Sequence, residues 1–206
     1  MARASRIPAF FLSALAGAML VASPAAAQYS DGYKFLEAVK NKNGEEVTDA
    51  LSKPGSTIVN SRDLTSGQTG LHLVVERRDV LWINFLLQNG ANPNIADNRG
   101  VTPLVLAAQL GFVDGVQALV SGGAKVDVAN ATGETPLIAA VLKGDVPLMR
   151  VLLKAGADPD RADSSGRSAR DYALLDGPNS RLLSEIEKSE KPKSEREGAA
   201  TYGPSF

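Results

Sequence analysis

Apolar residues along this chain recur at helical spacing, in short runs that come in pairs. In one pair, Leu104, Ala107 and Ala108 fall on one face of a first predicted helix, and a second helix is predicted up to about residue 121. The second helices of successive pairs carry apolar residues in two rows with a step of 33 residues: Ile83, Val116 and Met149, and Leu86, Leu119 and Leu152. One helix pair is too thin to bury such a stripe alone, so the pattern predicts pairs that stack on one another.

Two rows of glycine keep the same 33-residue step: Gly67, Gly100, Gly133 and Gly166, and then Gly90, Gly123 and Gly156. Such self-similarity indicates a stacked-repeat architecture. In the unit that starts at Gly100, Thr102 is a predicted helix N-cap, Pro103 fits the first helical turn, and Gly111 ends the helix. Arg78 holds the place of Gly111 one unit earlier, so the first interhelix turn is expected to differ or to be strained.

Short motifs recur in register with this period. Thr-Pro-Leu begins at Thr102 and Thr135, Thr-Gly-Leu-His begins at Thr69, and Gly-Ala-Asn-Pro-Asn and Gly-Ala-Asp-Pro-Asp begin at Gly90 and Gly156. On these motifs, residues 66–176 resemble ankyrin repeats. The resemblance implies an all-α ankyrin-repeat solenoid of four to five repeats, each with two antiparallel helices and a hairpin-like loop. It also implies that the histidine of the Thr69 motif is structural and bonds between neighbouring loops.

The two ends of the array depart from the pattern, as terminal repeats do. Residues 28–65 contain a weaker helix pair closed by Gly55, which predicts a diverged N-terminal capping repeat; the alternative is an unrelated helical lead-in. Residues 66–188 are interpreted as ankyrin repeats with an atypical C-terminal cap. There Arg170 replaces a stacking leucine, and Asn179 or Ser180 can cap a final helix. Residues 189–206 are nearly free of apolar side chains and are predicted to be a disordered tail.

Residues 1–27 have the three-part layout of a secretory signal peptide. Arg3 and Arg6 precede an apolar run that is too short to span a membrane, and small residues follow up to Ala27. We expect cleavage near Ala27 and no stable membrane insertion afterwards; the alternative is an uncleaved anchor. Export of a chain without cysteine favours a bacterial periplasm or exterior, so an exported bacterial protein is predicted.

Composition excludes several classes of function. The 206-residue chain has a formal charge of -1, which gives no electrostatic reason to expect binding to nucleic acid or to an anionic membrane. It has no cysteine and one histidine, so one chain cannot build a two-histidine zinc site or a triad with a spare histidine. We therefore expect a protein that is not an enzyme, with no catalytic residues, no cofactor and no metal.

Other polar and aromatic residues have competing interpretations. Five loop carboxylates are expected to stabilise turns rather than to bind a cation: Asp97, Asp127, Asp158, Asp160 and Asp163. Trp82 is expected to be half-buried against the next layer, or else to be an exposed binding anchor. The charged run from Glu185 to Glu197 is expected to be a solvated tail rather than a docking segment.

The resemblance also implies a binding surface, formed by the loop tips and the exposed side of the first helices. Carried over position by position, the partner-binding residues are Thr65, Ser66, Gln68, Glu76, Arg77, Asn98, Arg99, Val101, Gln109, Leu110, Ala131, Thr132, Glu134, Leu142, Lys143, Ser164, Ser165 and Arg167. Side-chain types vary at these positions while the surrounding frame repeats. Val101, Leu110 and Leu142 are expected to be exposed apolar groups flanked by basic ones, a mixture suited to binding protein.

The sequence thus predicts a non-catalytic, exported protein–protein interaction module. Its partner is another protein of unknown identity, and the chain itself is expected to be a monomer. The alternative function is an inhibitor or immunity-type protein that blocks a specific enzyme or toxin.

Overall fold

The computed structural model of the chain describes residues 30–53 and 56–189. These residues form ten α-helices: α1 (Asp31–Lys40), α2 (Gly44–Ser52), α3 (Gly70–Glu76), α4 (Val80–Gln88), α5 (Pro103–Gln109), α6 (Val113–Ser121), α7 (Pro136–Leu142), α8 (Val146–Lys154), α9 (Ala169–Leu174) and α10 (Arg181–Ser189). A single 3-10 turn covers Ile58–Asn60, and an isolated antiparallel bridge joins Arg62 to Thr69. The predicted all-α solenoid is confirmed.

The helices stack in two rows. The inner row consists of α1, α3, α5, α7 and α9, each packed on the next, and the outer row continues in the same way from α4 through α6 and α8 to α10. The N-terminal outer helix is an exception. Helix α2 packs on α1 and on the Ile58–Asn60 turn, and it lacks the extensive contact with α4 that the later outer helices make with their neighbours.

The core runs through the stack as one continuous apolar cluster. The two predicted apolar rows lie inside it with no side-chain exposure: Ile83, Val116, Met149, Leu86, Leu119 and Leu152. Because each layer buries these residues against the layers before and after it, the helix pairs depend on one another for stability.

The helices begin where the local sequence satisfies their free N–H groups. Thr102 Oγ1 accepts a hydrogen bond from the Val105 N–H at 3.3 Å, and Thr135 Oγ1 accepts from the Ile138 N–H at 3.2 Å. At the last helix, Ser180 lies at the N-cap position and its hydroxyl accepts from the Leu182 N–H at 3.2 Å. Of the two proposed caps, Ser180 therefore takes the role.

The turn between α3 and α4 has the same backbone conformation as the later interhelix turns. Gly111 and Gly144 have φ values of 64° and 66°, and Arg78 adopts a φ of 56° in the equivalent place. A left-handed conformation is unfavourable for a residue with a Cβ, so this turn is strained as expected. The Arg78 guanidinium lies 5.8 Å from the Phe112 ring centroid and donates to the Leu110 carbonyl, which holds the residue against the next repeat.

The hairpin-like loops are joined from repeat to repeat by a ladder of hydrogen bonds from Asn and Asp side chains. Asn60 accepts from the Asn92 N–H at 2.7 Å and donates to the Gly90 carbonyl at 3.4 Å. Asn94 likewise accepts from the Lys125 N–H at 2.8 Å and donates to the Gly123 carbonyl at 3.1 Å. Asp127 makes the third rung, accepting from the Asp158 N–H at 2.9 Å. Unlike the asparagine side chains, it has no amide group to donate in return.

One sequence prediction is wrong at the C-terminal end. Glu185 lies in α10 and is only 6% exposed, instead of belonging to a solvated charged run. Arg150 of α8 donates two hydrogen bonds to it, at 2.7 and 2.8 Å, and these bonds hold the pKa of Glu185 down at about 2. The hydrogen bonds cross between two outer helices, which periodicity within one helix does not reveal.

Several sequence predictions lie outside the described residues. These are the signal peptide at residues 1–27, the closing role of Gly55, and most of the predicted tail; Ser189, the first residue of that tail, belongs to α10. No helix in the described ranges has the length and apolar character needed to cross a bilayer.

Candidate protein-binding surface

Asx residues set the shape of the loop tips next to the inner helices. Three of them lie 33 residues apart: Asp97, Asn130 and Asp163. Asp97 accepts from the backbone N–H groups of Arg99 and Val101 at 2.8 and 2.9 Å, and Asp163 accepts from those of Ser165 and Arg167 at 2.8 and 3.2 Å. The predicted turn-stabilising role of these two carboxylates is confirmed, and each tip is held in a defined conformation by its own side chain.

Hydrogen bonding also lowers the pKa values of these carboxyls. Burial alone would raise the pKa of Asp97, but donation from the Val101 and Arg99 backbones and from the Arg99 guanidinium outweighs it and lowers the pKa. Hydrogen bonds from the Ser165 and Tyr172 hydroxyls lower the pKa of Asp163 to about 2. Both groups are therefore ionised at neutral pH and act as fixed acceptors within the tips.

The loop tips next to the inner helices form a rim, and the two tips at each end of this rim are bonded to each other. The Asn98 N–H donates to the Ser66 carbonyl and its side-chain amide donates to the Thr65 carbonyl, both at 2.9 Å. Further along, the Ser164 N–H donates to the Thr132 carbonyl at 3.0 Å. A rim of this kind is preformed, so little conformational entropy is lost when a partner binds to it.

The last two repeats form a groove between the rim and the inner helices, with a volume of about 460 Å³. It brings together five residues predicted from the sequence: Thr132, Glu134, Leu142, Ser164 and Ser165. Leu142 is 58% exposed at the end of α7. Tyr172 of α9 completes the lining, donating its hydroxyl to Asp163 Oδ2 at 2.8 Å while the Arg167 guanidinium lies 5.9 Å from its ring.

Tyr172 was not among the predicted binding residues, although its position was visible in the repeat pattern. It lies 33 residues after Ala139 on the next inner helix, where an aromatic ring replaces a methyl group. Its hydroxyl needs a polar partner, and Asp163 of its own repeat supplies one. An aromatic residue at a position that is small in the preceding repeat is a signal that could have identified it.

The polarity of the inner surface changes along the array. From α3 to α9, the C-terminal ends of the inner helices hold, in order, Glu76, Gln109, Leu142 and Leu175. Glu76 accepts from the Gln68 side chain, and Gln109 donates to Glu134 at 3.4 Å. Leu142 and Leu175 are 58% and 69% exposed. One end of the surface therefore offers carboxylate and amide groups, and the other offers leucine side chains.

Three predicted residues do not lie free on this surface. Val101 is only 7% exposed, so the expected exposed valine is wrong; its N–H donates to Asp97 and its carbonyl lies 2.9 Å from His72 Nε2, which turns the residue inward. Leu110 is half-buried and packs against the core. The Arg77 guanidinium reaches back to the α1 carbonyls of Val39 and Lys40. The remaining exposed members lie at the tips and helix ends as predicted: Thr65, Asn98, Arg99, Ala131, Lys143 and Arg167.

His72 is buried, and its two ring nitrogens are both engaged. Nδ1 accepts from the Thr69 N–H at 3.1 Å, so the ring proton lies on Nε2 and is donated to the Val101 carbonyl in the next loop at 2.9 Å. Burial lowers the pKa of His72 and keeps the ring neutral. Its predicted role as a bond between neighbouring loops is confirmed. In the described part of the chain, no three residues among His, Cys, Asp and Glu cluster as potential metal ligands.

Trp82 lies on the other side of the molecule from the groove. It is half-buried as predicted, but it faces the preceding layer: its ring borders a cleft with Gly44 and Thr48 of α2, and Phe85 meets it edge-on at 5.5 Å. The Arg77 guanidinium lies 5.0 Å from the ring centroid. The predicted contact with the next layer is therefore wrong.

Family models for ankyrin repeats match most of the described chain. One model of three repeat copies matches residues 35–130, and a second, many-copy model matches residues 119–173. Among curated proteins, an ankyrin repeat protein of fowlpox virus is 42% identical over 62 residues, which are 30% of this chain and 18% of that protein.

Two other curated proteins are similar to part of this chain. Oxysterol-binding protein homolog 1 of Saccharomyces cerevisiae is 31% identical over 80 residues, which are 37% of this chain and 7% of that protein. The human 2-5A-dependent ribonuclease is 34% identical over 89 residues, which are 42% of this chain and 12% of that protein. The matched part of this chain thus spans less than a fifth of each relative.

Proposed function

Because this chain belongs to the ankyrin-repeat proteins, whose repeats mediate protein–protein interaction, we propose that it is an exported, non-catalytic module that binds one protein partner through the rim and the inner helices. The observation that carries the proposal is the groove lined by Leu142, Tyr172 and the tips at Thr132 and Ser165. It combines an exposed leucine and a half-buried tyrosine with polar rim groups, the composition of a protein-binding site.

The proposed surface is shaped for a partner with matching polarity. Its N-terminal part presents Glu76 and the exposed Arg99, and its C-terminal part presents Leu142 and Leu175. We expect the apolar end to supply most of the affinity, because buried apolar and aromatic contacts dominate interface energetics. The charged end would then set orientation and association rate.

Affinity capture with a matched pair of variants tests this function. The purified chain without residues 1–27 is incubated with periplasmic extract and crosslinker, alongside Leu142→Glu and, as control, Gln117→Glu of α6. Leu142 is 58% exposed and Gln117 is exposed on an outer helix, so neither change should unfold the protein. We expect one protein to be captured by the wild type and by the control but to be lost with Leu142→Glu. Equal capture by all three would contradict the proposal.

We place this function in the bacterial periplasm or exterior, supported by the signal-like pattern of residues 1–27. Expression of the full chain in a Gram-negative host, followed by fractionation and N-terminal sequencing, tests the location. We expect a mature protein in the periplasmic fraction that begins at Gln28. A protein that keeps Arg3 and Arg6 and remains in the cytoplasm would contradict it.

A further inference from the structure

The outer helices leave an apolar cleft open between α2 and α4. Leu81, Trp82 and Phe85 of α4 form one side, and Gly44 and Thr48 of α2 form the other, around a volume of about 380 Å³. Leu81 is 81% exposed. A Cβ placed on Gly44 would meet no atom within 4 Å, so the cleft is open on that side as well.

The cleft exists because the two helices differ in side-chain size. Helix α4 presents two aromatic rings and a leucine towards α2, whereas α2 presents a glycine and a threonine in return. The later outer helices pack closely on one another, and α2 does not do so with α4. At the register position of Leu81, the next two outer helices carry Asp114 and Pro147. The exposed leucine is thus particular to α4.

The charges around the cleft are acidic. Helix α2 carries Glu45 next to Gly44 and contains no basic residue, α4 contains no charged residue, and α6 adds Asp114. Glu45 and Asp114 are exposed and take part in no ion pair within the described residues. The basic residues just before α2 and α4 are engaged, because Lys42 and Arg77 both pair with Asp79 and Arg78 donates to the Leu110 carbonyl.

We propose that this cleft, defined by Leu81, Trp82, Phe85, Gly44 and Thr48, is a second binding site that takes an amphipathic, basic segment of a protein. Apolar side chains of that segment enter between α2 and α4, against the rings of Trp82 and Phe85. Its lysine or arginine residues face Glu45 on one side and Asp114 on the other. The same carboxylates repel an anionic bilayer, so a lipid surface does not fit.

This site is separate from the groove of the inner surface. The cleft lies on the outer row and uses none of the residues in the rim, so the two sites can be disabled independently. Trp82 is the chain's single tryptophan, and therefore its fluorescence reports on the cleft alone. A partner that enters the cleft removes water from this ring and shifts its emission.

The test is a titration of Trp82 fluorescence with a synthetic peptide of leucine and lysine patterned as an amphipathic helix. The reference is the same peptide with every lysine replaced by glutamate. We expect saturable binding of the lysine peptide, weakening as salt is added, and none of the glutamate peptide. Leu81→Ser should raise the dissociation constant about tenfold, as expected for one buried leucine at an interface. Glu45→Gln with Asp114→Asn should reduce both the affinity and its dependence on salt.

Leu142→Ser serves as the matched control, since it removes an exposed leucine from the inner groove only. Binding that is weakened by Leu142→Ser and not by Leu81→Ser would place the peptide in the inner groove and overturn this proposal while leaving the proposed function intact. Equal binding of both peptides would also overturn it. So would a dimer in sedimentation analysis that Leu81→Ser converts to monomer, because the cleft would then be covered by a second copy of the chain.

Discussion

The repeat formed by α3 and α4 is attached to its neighbours differently from the two repeats that follow it. At three successive equivalent positions of the inner helices the chain has His72, Val105 and Ile138. The histidine donates to the Val101 carbonyl of the next repeat, whereas the valine and isoleucine are simply buried. Arg78 likewise replaces a glycine and reaches the next repeat through its guanidinium.

This difference shows that a repeat next to an irregular helix pair can be attached by additional polar bonds. The α3–α4 repeat follows the α1–α2 pair, whose outer helix does not pack closely on α4. Directional bonds from Arg77 backward and from His72 forward connect this repeat on both sides. In the repeats of α5–α6 and α7–α8, both helices pack on both neighbouring layers, and polar bonds such as Gln109–Glu134 and Arg150–Glu185 add to these contacts. Four predictions sharpen the comparison.

The largest effect is expected where both helices of a repeat are packed on complete apolar layers. Leu119→Ala removes a fully buried side chain between two complete layers and should lower the free energy of unfolding by about 3 kcal/mol, since the cavity cannot fully collapse. Urea denaturation followed by circular dichroism measures this. The control is Leu64→Ala, which truncates a side chain that is 95% exposed and should change stability by less than about 0.5 kcal/mol. A similar loss in both variants would refute the burial argument.

A smaller loss, with a distinct pH dependence, is expected for His72→Val, which copies the residue of the following repeat. The change leaves the Thr69 N–H and the Val101 carbonyl without their partner, at a cost of about 1–3 kcal/mol. In the wild type, burial lowers the pKa of His72 below 6.5, so the unfolded chain binds a proton that the folded chain does not. Stability should therefore fall as the pH drops through 6.5.

The variant should lose this dependence on pH. Denaturation between about pH 7.5 and 5.5 separates the contribution of His72 to the pH dependence of stability from that of the carboxyls. The carboxyls with lowered pKa values lose their stabilising effect only in more acidic solution. Glu185 and Asp163 have pKa values of about 2 in the folded chain. Their contribution to stability is therefore lost only as the pH falls below their ordinary pKa values of 4.5 and 3.8. If His72→Val kept the slope of the wild type across this range, the histidine would not be its source.

The strained turn gives a third and smaller contrast. Arg78→Ala keeps a Cβ at a φ of 56° and loses the contacts with Leu110 and Phe112. Arg78→Gly loses the same contacts but relieves the strain, as the glycines of the later turns do. We expect the glycine variant to be more stable than the alanine variant by about 1 kcal/mol in thermal or urea denaturation. The opposite order would show that the backbone is not strained there.

The smallest effect is a gain. Asp127→Asn supplies the donor that the third rung of the loop ladder lacks, and its amide can reach the Gly156 carbonyl as Asn94 reaches that of Gly123. We expect stabilisation by about 0.5–1 kcal/mol in urea denaturation. The reciprocal variant, Asn94→Asp, should lose a similar amount. Unchanged stability in both variants would mean that the ladder hydrogen bonds are no more favourable than the hydrogen bonds to water that replace them in the unfolded chain.

Much of the surface could be predicted because the pattern of each repeat is local. Thr102 and Thr135 mark the starts of their helices because they are N-cap residues. The position of Leu142 at the end of an inner helix follows from its register in the repeat. Val101 was misplaced because the direction of its side chain depends on Asp97 and His72, which pull its backbone inward from two different repeats. Arg77 was misplaced for a similar reason, since its acceptors belong to α1.

The sequence by itself determined the period, the pairing of helices and the buried rows, because a repeated spacing of apolar residues and caps is encoded within each unit. The tertiary structure alone decided which charged and aromatic residues face inward. Glu185 turns to Arg150, and Trp82 turns to the small residues of α2 rather than to the next layer. These outcomes depend on the size and charge of side chains about 30 to 40 residues away, where stacking brings together groups that no local pattern connects.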